Sequence, residues 1–263
     1  MANPSGRLAG KVALIVGGGA DGPAREGEPI AMGNGRATAI LCAREGAAVV
    51  VADRSLALAK ETADFIAKEG GRAEAVEADV RIEEACKAAV NAAVRFFGAL
   101  HLLVNNVGIG AGGPLLQTST EQFDRVVQVN LRSHFLTMRY AVPEIAKAGG
   151  GAIVNVSSMA ALRSNRLIPY EATKAALLGL SRSAAVSHAR DRIRVNTVLP
   201  GLIDSTMVRK VMGDREALVA PRIPMRRQGT PWEVASAIVF LLSDEASYIT
   251  GTELIIDGGL SAR

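Results

Sequence analysis

Short, nearly continuous apolar runs recur along the chain, separated by stretches whose apolar positions repeat at helical spacing. Residues 11–16, 48–52, 101–105, 152–156, 194–199 and 253–256 are rich in Val, Ile, Leu and Ala. Such runs suit strands buried on both faces of a parallel sheet. Residues 72–77 form a shorter, more polar strand pattern. Helical patterns fill 36–45, 55–68, 83–97, 119–147, 170–189 and 230–243. Two of them open with Ser119-Thr-Glu-Gln122 and Thr230-Pro-Trp-Glu233, where a hydroxyl and a side chain three residues on cap each other's backbone N–H. Pro200-Gly201 and Asp257-Gly258-Gly259 stop the last two strands. Seven strands alternating with helices predict an α/β fold: a doubly wound, seven-stranded parallel sheet with helices on both faces, in one domain over residues 1–263.

Chemistry enters at the first turn. The strand at 11–16 runs into Gly17-Gly18-Gly19, and Gly33-Asn34-Gly35 leads into the first helix. The second strand ends in Asp53. Strand, glycine turn, helix, strand and terminal acid in that order are a dinucleotide-binding pattern. Glycines let the backbone approach a pyrophosphate, and a helix N-terminus offers free N–H groups and a positive dipole end. An acid ending the second strand binds both hydroxyls of an adenosine ribose and repels a 2′-phosphate, so Asp53 favours NAD over NADP. One segment does not fit. Residues 22–32 add roughly ten residues to the turn, and Pro23, Arg25, Glu26, Glu28 and Pro29 make it a surface loop. It is read either as a tolerated bulge or as a flap over the cofactor with Arg25 near the pyrophosphate.

Composition excludes more than it selects. The 263 residues are 49% apolar and 21% charged with a net charge of +4, which is ordinary for a globular chain and argues against nucleic acid. Cys42 and Cys86 have no metal-ligand spacing, and His101, His134 and His188 are far apart, so no metal site is expected. The first apolar run is too short for a signal peptide or membrane span, so a cytoplasmic location without membrane association is expected.

Tyr170-Glu-Ala-Thr-Lys174 carries the reaction chemistry. In a helix, Tyr170 and Lys174 stand one turn apart on the same face. A phenol titrates near pH 10, and work near pH 7 requires a drop of roughly 3 units, about 4 kcal/mol. A cation about 4.5 Å away supplies roughly 3.7 kcal/mol at an effective dielectric of about 20.

With these motifs stand Asn105-Asn106-Val107-Gly108, Val129-Asn130-Leu131, Ser157-Ser158, Pro200-Gly201 and a tail from Tyr248 to Gly259. Together they make the sequence resemble the short-chain dehydrogenase/reductase family, with its Rossmann-type fold, over nearly the whole chain. The resemblance implies a tetrad. Tyr170 is the general acid/base. Lys174 lowers its pKa and holds the nicotinamide ribose. A serine bonds the substrate oxygen, and Asn130 anchors a water chain from Lys174. The family places its serine thirteen residues before the tyrosine and as the second of the pair. Here Ser157 satisfies the first condition and Ser158 the second. Strand position governs side-chain direction, so Ser158 is preferred.

The resemblance also implies cofactor contacts from Gly18, Gly19, Asn34, Gly35, Asp53, Arg54, Asp79, Val80, Asn106 and Gly108, and from Tyr170, Lys174, Pro200, Gly201, Ile203 and Ser205. Asp79 is read alternatively as a helix cap. Residues 205–227 correspond to a substrate lid. Its Arg209, Lys210, Arg215, Arg222, Arg226 and Arg227, set against Asp214 and Glu216, read as a solvated basic face ahead of an anion-binding one. The helix at 172–189 is apolar on more than one stripe, and with the resemblance this implies a homotetramer, a dimer being second. The expected activity is NAD-dependent interconversion of a secondary alcohol and its ketone. The alternatives are an NADPH-dependent 3-oxoacyl carrier-protein reductase and a non-catalytic NAD-binding scaffold.

Overall fold

The structure, a computed structural model, describes residues 6–212 and 220–262. In chain order the strands and helices are β1 (Val12–Val16), α1 (Asn34–Arg44), β2 (Ala48–Asp53), α2 (Leu56–Lys68), β3 (Arg72–Glu77), α3 (Glu83–Phe97), β4 (Leu102–Asn105), α4 (Thr120–Val127), α5 (Ser133–Lys147), β5 (Gly151–Val156), α6 (Ile168–His188), β6 (Ile193–Pro200), α7 (Thr206–Met212), α8 (Pro231–Leu242) and β7 (Glu253–Ile256). The seven strands are parallel in the order β3-β2-β1-β4-β5-β6-β7.

Strand alternation divides the core between the two faces. Ala13, Ile15, Val49 and Val51 pack with Ile40 of α1 and Ile238 of α8. Val12, Leu14, Val16 and Val50 point the other way, to Val90 of α3 and Leu136 and Ile145 of α5. This double burial is why β1, β2 and β4 read as continuous apolar runs. β3 lies at the sheet edge, which accounts for its polar sequence. β1 pairs with β2 on one side and β4 on the other. The strand order reverses there, opening a crevice at the strands' carboxyl ends.

Both expected capping boxes are present, at Ser119–Gln122 and Thr230–Glu233. The single helix expected over 119–147 is divided by a wider π turn at Gln128–Arg132. The Ser133 hydroxyl donates to the Val129 carbonyl at 2.6 Å, supplying a donor where the regular ladder is broken.

Residues 22–32 form the expected loop, exposed over most of 23–29 and buried again at Ala31 and Met32. Arg36, 0% exposed, holds its far end. Its guanidinium donates to the Ala31 carbonyl at 2.7 Å, to Thr62 Oγ1 at 2.9 Å and to Glu61 at 2.5 Å. Replacing Arg36 by Met leaves buried acceptors without their donor, and each such acceptor costs on the order of 1–3 kcal/mol. Arg36→Met is expected to lower the unfolding free energy by about 3 kcal/mol in urea titration. An unchanged midpoint would show that the guanidinium does not anchor the loop.

Candidate active site

The crevice at the carboxyl ends of the strands holds a cavity of about 740 Å³. At one end the chain leaves β1 through Gly17, whose φ of 82° favours glycine. The start of α1 packs directly on this turn: a Cβ on Gly35 would lie 1.9 Å from the Gly17 carbonyl oxygen. Asn106 clamps the same carbonyl through Nδ2 at 2.9 Å. Asp53, at the end of β2, accepts from the Gly19 N–H at 3.0 Å and from the Ser55 N–H at 3.1 Å. Its carboxylate is thereby fixed at the cavity wall. Gly33 precedes α1 with no side-chain cap on the helix N-terminus. The Asn34 Oδ1 is buried with no hydrogen-bond partner among the described residues. A glycine cradle, an uncapped helix N-terminus and an oriented acid suit a dinucleotide's pyrophosphate and ribose.

Gly19, Asn34, Gly35, Asp53, Arg54, Asp79, Val80, Asn106, Gly108, Tyr170, Lys174, Pro200, Gly201, Ile203 and Ser205 all line this cavity. Gly18 does not. Its N–H donates to Ala52, its carbonyl accepts from Thr62, and a Cβ would meet Val51 at 2.6 Å. It packs into the sheet, and Gly17 takes the wall position expected for it. The signal for Gly17 was there: it is the first glycine after the strand, where the chain must reverse. Asp79 does both things expected of it. It lines the cavity, and it accepts from the Arg81 N–H at 3.0 Å and from its guanidinium, which holds the carboxyl below its ordinary value. Thr206, next to Ser205, and the lid cation Lys210 also reach the cavity from α7, as does Asp21, which had no local sequence signal.

The extra segment leaves the cavity open, since none of residues 22–32 lines it. Arg25, expected near the pyrophosphate in the flap reading, instead pairs with Asp204 at 2.6 Å.

At the other end, β5 delivers the serine pair and α6 delivers the tyrosine and lysine. Both serines line the cavity, but their side chains are engaged differently. Ser157 turns inward, 4% exposed, and donates to the Lys174 carbonyl at 2.8 Å. Ser158 lines the cavity beside Tyr170, and its Oγ accepts from the Ala160 N–H at 3.1 Å. Lys174 is 3% exposed, and its Nζ donates to the Val156 carbonyl at 2.8 Å. Burial pushes its pKa down to about 8. Asn130 sits in the π turn, fully buried. Its side chain accepts from the Ile109 N–H at 2.8 Å and donates to the Ile109 carbonyl at 3.0 Å. It thus holds the segment that leaves β4 past Lys174.

The expected drop in the Tyr170 pKa through Lys174 is absent here. The Nζ lies 5.8 Å from the ring centre. Burial of the phenol is the larger influence and raises its pKa, with the neighbouring Ser158 hydroxyl opposing it.

The sequence matches the family described as Enoyl-(Acyl carrier protein) reductase over residues 30–261. It is 41% identical to a cyclohexanol dehydrogenase of Acinetobacter sp. (strain SE19), over 98% of both chains. It is 38% identical to a 3-oxoacyl-[acyl-carrier-protein] reductase of Thermotoga maritima, over 97% of this chain and 99% of that one. The structure of a short-chain type dehydrogenase/reductase from Mycobacterium marinum superposes with a TM-score of 0.88 at 32% identity, covering 97% of each chain. The chain belongs to the short-chain dehydrogenase/reductase family. As a short-chain dehydrogenase/reductase it is an oxidoreductase of CH–OH groups and uses a nicotinamide cofactor, NAD or NADP. The family match starts at residue 30, near the end of the extra segment, where this chain departs from the usual turn. No helix among the described residues is long and apolar enough to cross a membrane.

The depressed Lys174 pKa has a thermodynamic consequence. The unfolded lysine titrates near 10.4 and the folded one at about 8. Between those values the unfolded chain binds more protons, so stability rises with pH across this window and is lost as pH falls through the folded value. Against a Lys174→Met variant, the wild-type unfolding free energy is expected to improve by about 3 kcal/mol from pH 8 to 10.5. A pH-independent difference would mean the ammonium is not desolvated.

Proposed function

We propose that this enzyme interconverts a secondary alcohol and its ketone with NAD, using Tyr170 as the general acid/base. The observation that carries the reading is that Ser158, Tyr170 and the buried Lys174 ammonium line the same cavity as the Asp53 carboxylate. Bound NAD supplies the hydride acceptor. Asp53 takes the two ribose hydroxyls and disfavours a 2′-phosphate. Ser158 bonds the substrate oxygen and steadies its developing charge. Tyr170 exchanges the proton with that oxygen. Lys174 holds the nicotinamide ribose and faces the phenol with its charge. Asn130 fixes the 107–110 segment beside Lys174 and anchors the water path that relays the proton outward. The raised Tyr170 pKa keeps the phenol protonated at neutral pH, the form that donates to a ketone.

Residues 205–227 of this single domain act as a lid. Asp214, Arg215 and Glu216 lie outside the described residues. Of the other lid cations, Arg209 pairs with Asp204, Lys210 with Asp21 and Arg227 with Glu233. Those pairings favour a solvated basic face over an anion site. A cyclic secondary alcohol is the first substrate to test, in view of the cyclohexanol dehydrogenase relative. The second reading, an NADPH-dependent 3-oxoacyl carrier-protein reductase, draws on the Thermotoga relative, and Asp53 speaks against it. The face of α6 left exposed by its own chain, including Ala172, Ala175, Ala176 and Val186, suits a homotetramer. The free, buried Cys42 and Cys86 suit a reducing cytoplasmic setting.

Tyr170→Phe removes the exchangeable proton and little else. Turnover of cyclohexanol with NAD is expected to fall by roughly 10²–10⁴-fold, while NADH affinity measured by fluorescence stays near that of the wild type. Activity that survives the substitution would assign the acid/base role elsewhere.

A further inference from the structure

The extra segment and the start of α7 share one carboxylate. Asp204 lies between Ile203 and Ser205, both of which line the cavity. Its Oδ2 is 2.6 Å from Arg25 Nη1, in the extra segment, and its Oδ1 is 2.6 Å from Arg209 Nε, in α7. The Asp204 side chain is only 13% exposed. Most exposed ion pairs contribute little, but this carboxylate is largely withdrawn from water and each of its oxygens has an arginine. Three further links join α7 to the extra segment or to Asp21 just ahead of it. The Thr206 N–H donates to the Met32 carbonyl at 3.2 Å, Lys210 pairs with Asp21 at 2.5 Å, and Arg209 lies 3.9 Å from Glu28. Gly22 packs on Thr206, with room for a Cβ only at 3.3 Å from it. On the other side, the Asp204 N–H donates to the Gly229 carbonyl at 2.8 Å.

The turn at 203–206 is therefore braced from two directions, and one brace comes from residues outside the usual glycine turn. We infer that Arg25 is a positioning residue for the cofactor: through Asp204 it holds the 203–206 turn in its binding conformation. This rests on the reading that the cavity binds a nicotinamide dinucleotide. Arg25 does not itself line that cavity. Its effect is on the population of the competent turn. A turn that must be ordered on binding reduces apparent affinity by the fraction of time it is competent. Arg209 remains on Asp204 when Arg25 is lost, so the loss is partial.

The test compares wild type, Arg25→Gln, Arg25→Lys and, as a control in the same segment, Glu26→Gln. The readouts are amide hydrogen exchange of residues 206–210 without cofactor, the NADH dissociation constant by fluorescence, and the KM and kcat for NAD. Arg25→Gln is expected to speed exchange in 206–210. It should also raise the NADH dissociation constant and the KM for NAD by roughly five- to tenfold with kcat within about twofold. Arg25→Lys should recover most of the loss, and Glu26→Gln should match the wild type. If the wild type binds NADH and Arg25→Gln matches it in both exchange and affinity, the positioning role is wrong and the cofactor reading stands. Equal losses in Glu26→Gln would likewise overturn it, since any disturbance of the loop would then suffice. If the wild type binds neither NADH nor NADPH, the cofactor reading fails and this inference fails with it.

Discussion

Taking the Lys174 ammonium out of water costs several kcal/mol, and the segments around it are arranged to recover part of that cost. The Val156 carbonyl at the end of β5 accepts from it. Ser157 fixes the α6 backbone at the same residue. Gly108 passes so close that its missing Cβ would lie 3.1 Å from Nζ. Asn130 holds that passing segment through both the N–H and the carbonyl of Ile109. His134 is completely buried nearby, and burial together with the Lys174 charge pushes its pKa down to about 3, leaving it neutral. A second cation is thus kept away. One charge ties β4, β5, the π turn and α6 together, and its remaining donor capacity faces the cavity.

The opposite end of the cavity depends on an anion. Asp53 accepts from Gly19 and Ser55, so the carboxylate that would read a ribose also shapes the glycine turn. The strand order places these two ends on either side of the β1–β4 crevice. A ligand with a ribose at each end suits that separation of charge. The extra segment lies outside it, anchored by Arg36 at its far end and by the Arg25–Asp204 pair near its middle. Its prolines and charges are those of a loop that must stay solvated while reaching across to α7.

Much of this was legible in the sequence because it is local. Continuous apolar runs mark strands covered on both faces, and Ser119–Gln122 and Thr230–Glu233 are contacts within a single turn of chain. The choice between Ser157 and Ser158 was open by counting residues. Both line the cavity, but the Ser157 hydroxyl is committed to the Lys174 carbonyl, which leaves Ser158 as the preferred partner for a substrate oxygen. What the sequence hid is long-range or conformational. The Arg25–Asp204 pair joins residues far apart in the chain, and neither carries a motif. The π turn needs one extra residue in a helix whose polar and apolar pattern is otherwise regular. The Tyr170 shift was misjudged because a pairwise Coulomb estimate omits desolvation of the phenol, which works in the opposite direction.

On the proposed function, the cavity binds a nicotinamide dinucleotide and Asp53 selects its ribose. The most direct test is a fluorescence titration of the purified protein with NADH and, separately, with NADPH. NADH is expected to bind more tightly than NADPH by about tenfold or more, since a 2′-phosphate would lie against the Asp53 carboxylate and like charges at close range cost on the order of 1 kcal/mol or more. Equal or tighter binding of NADPH, or binding of neither, would contradict it.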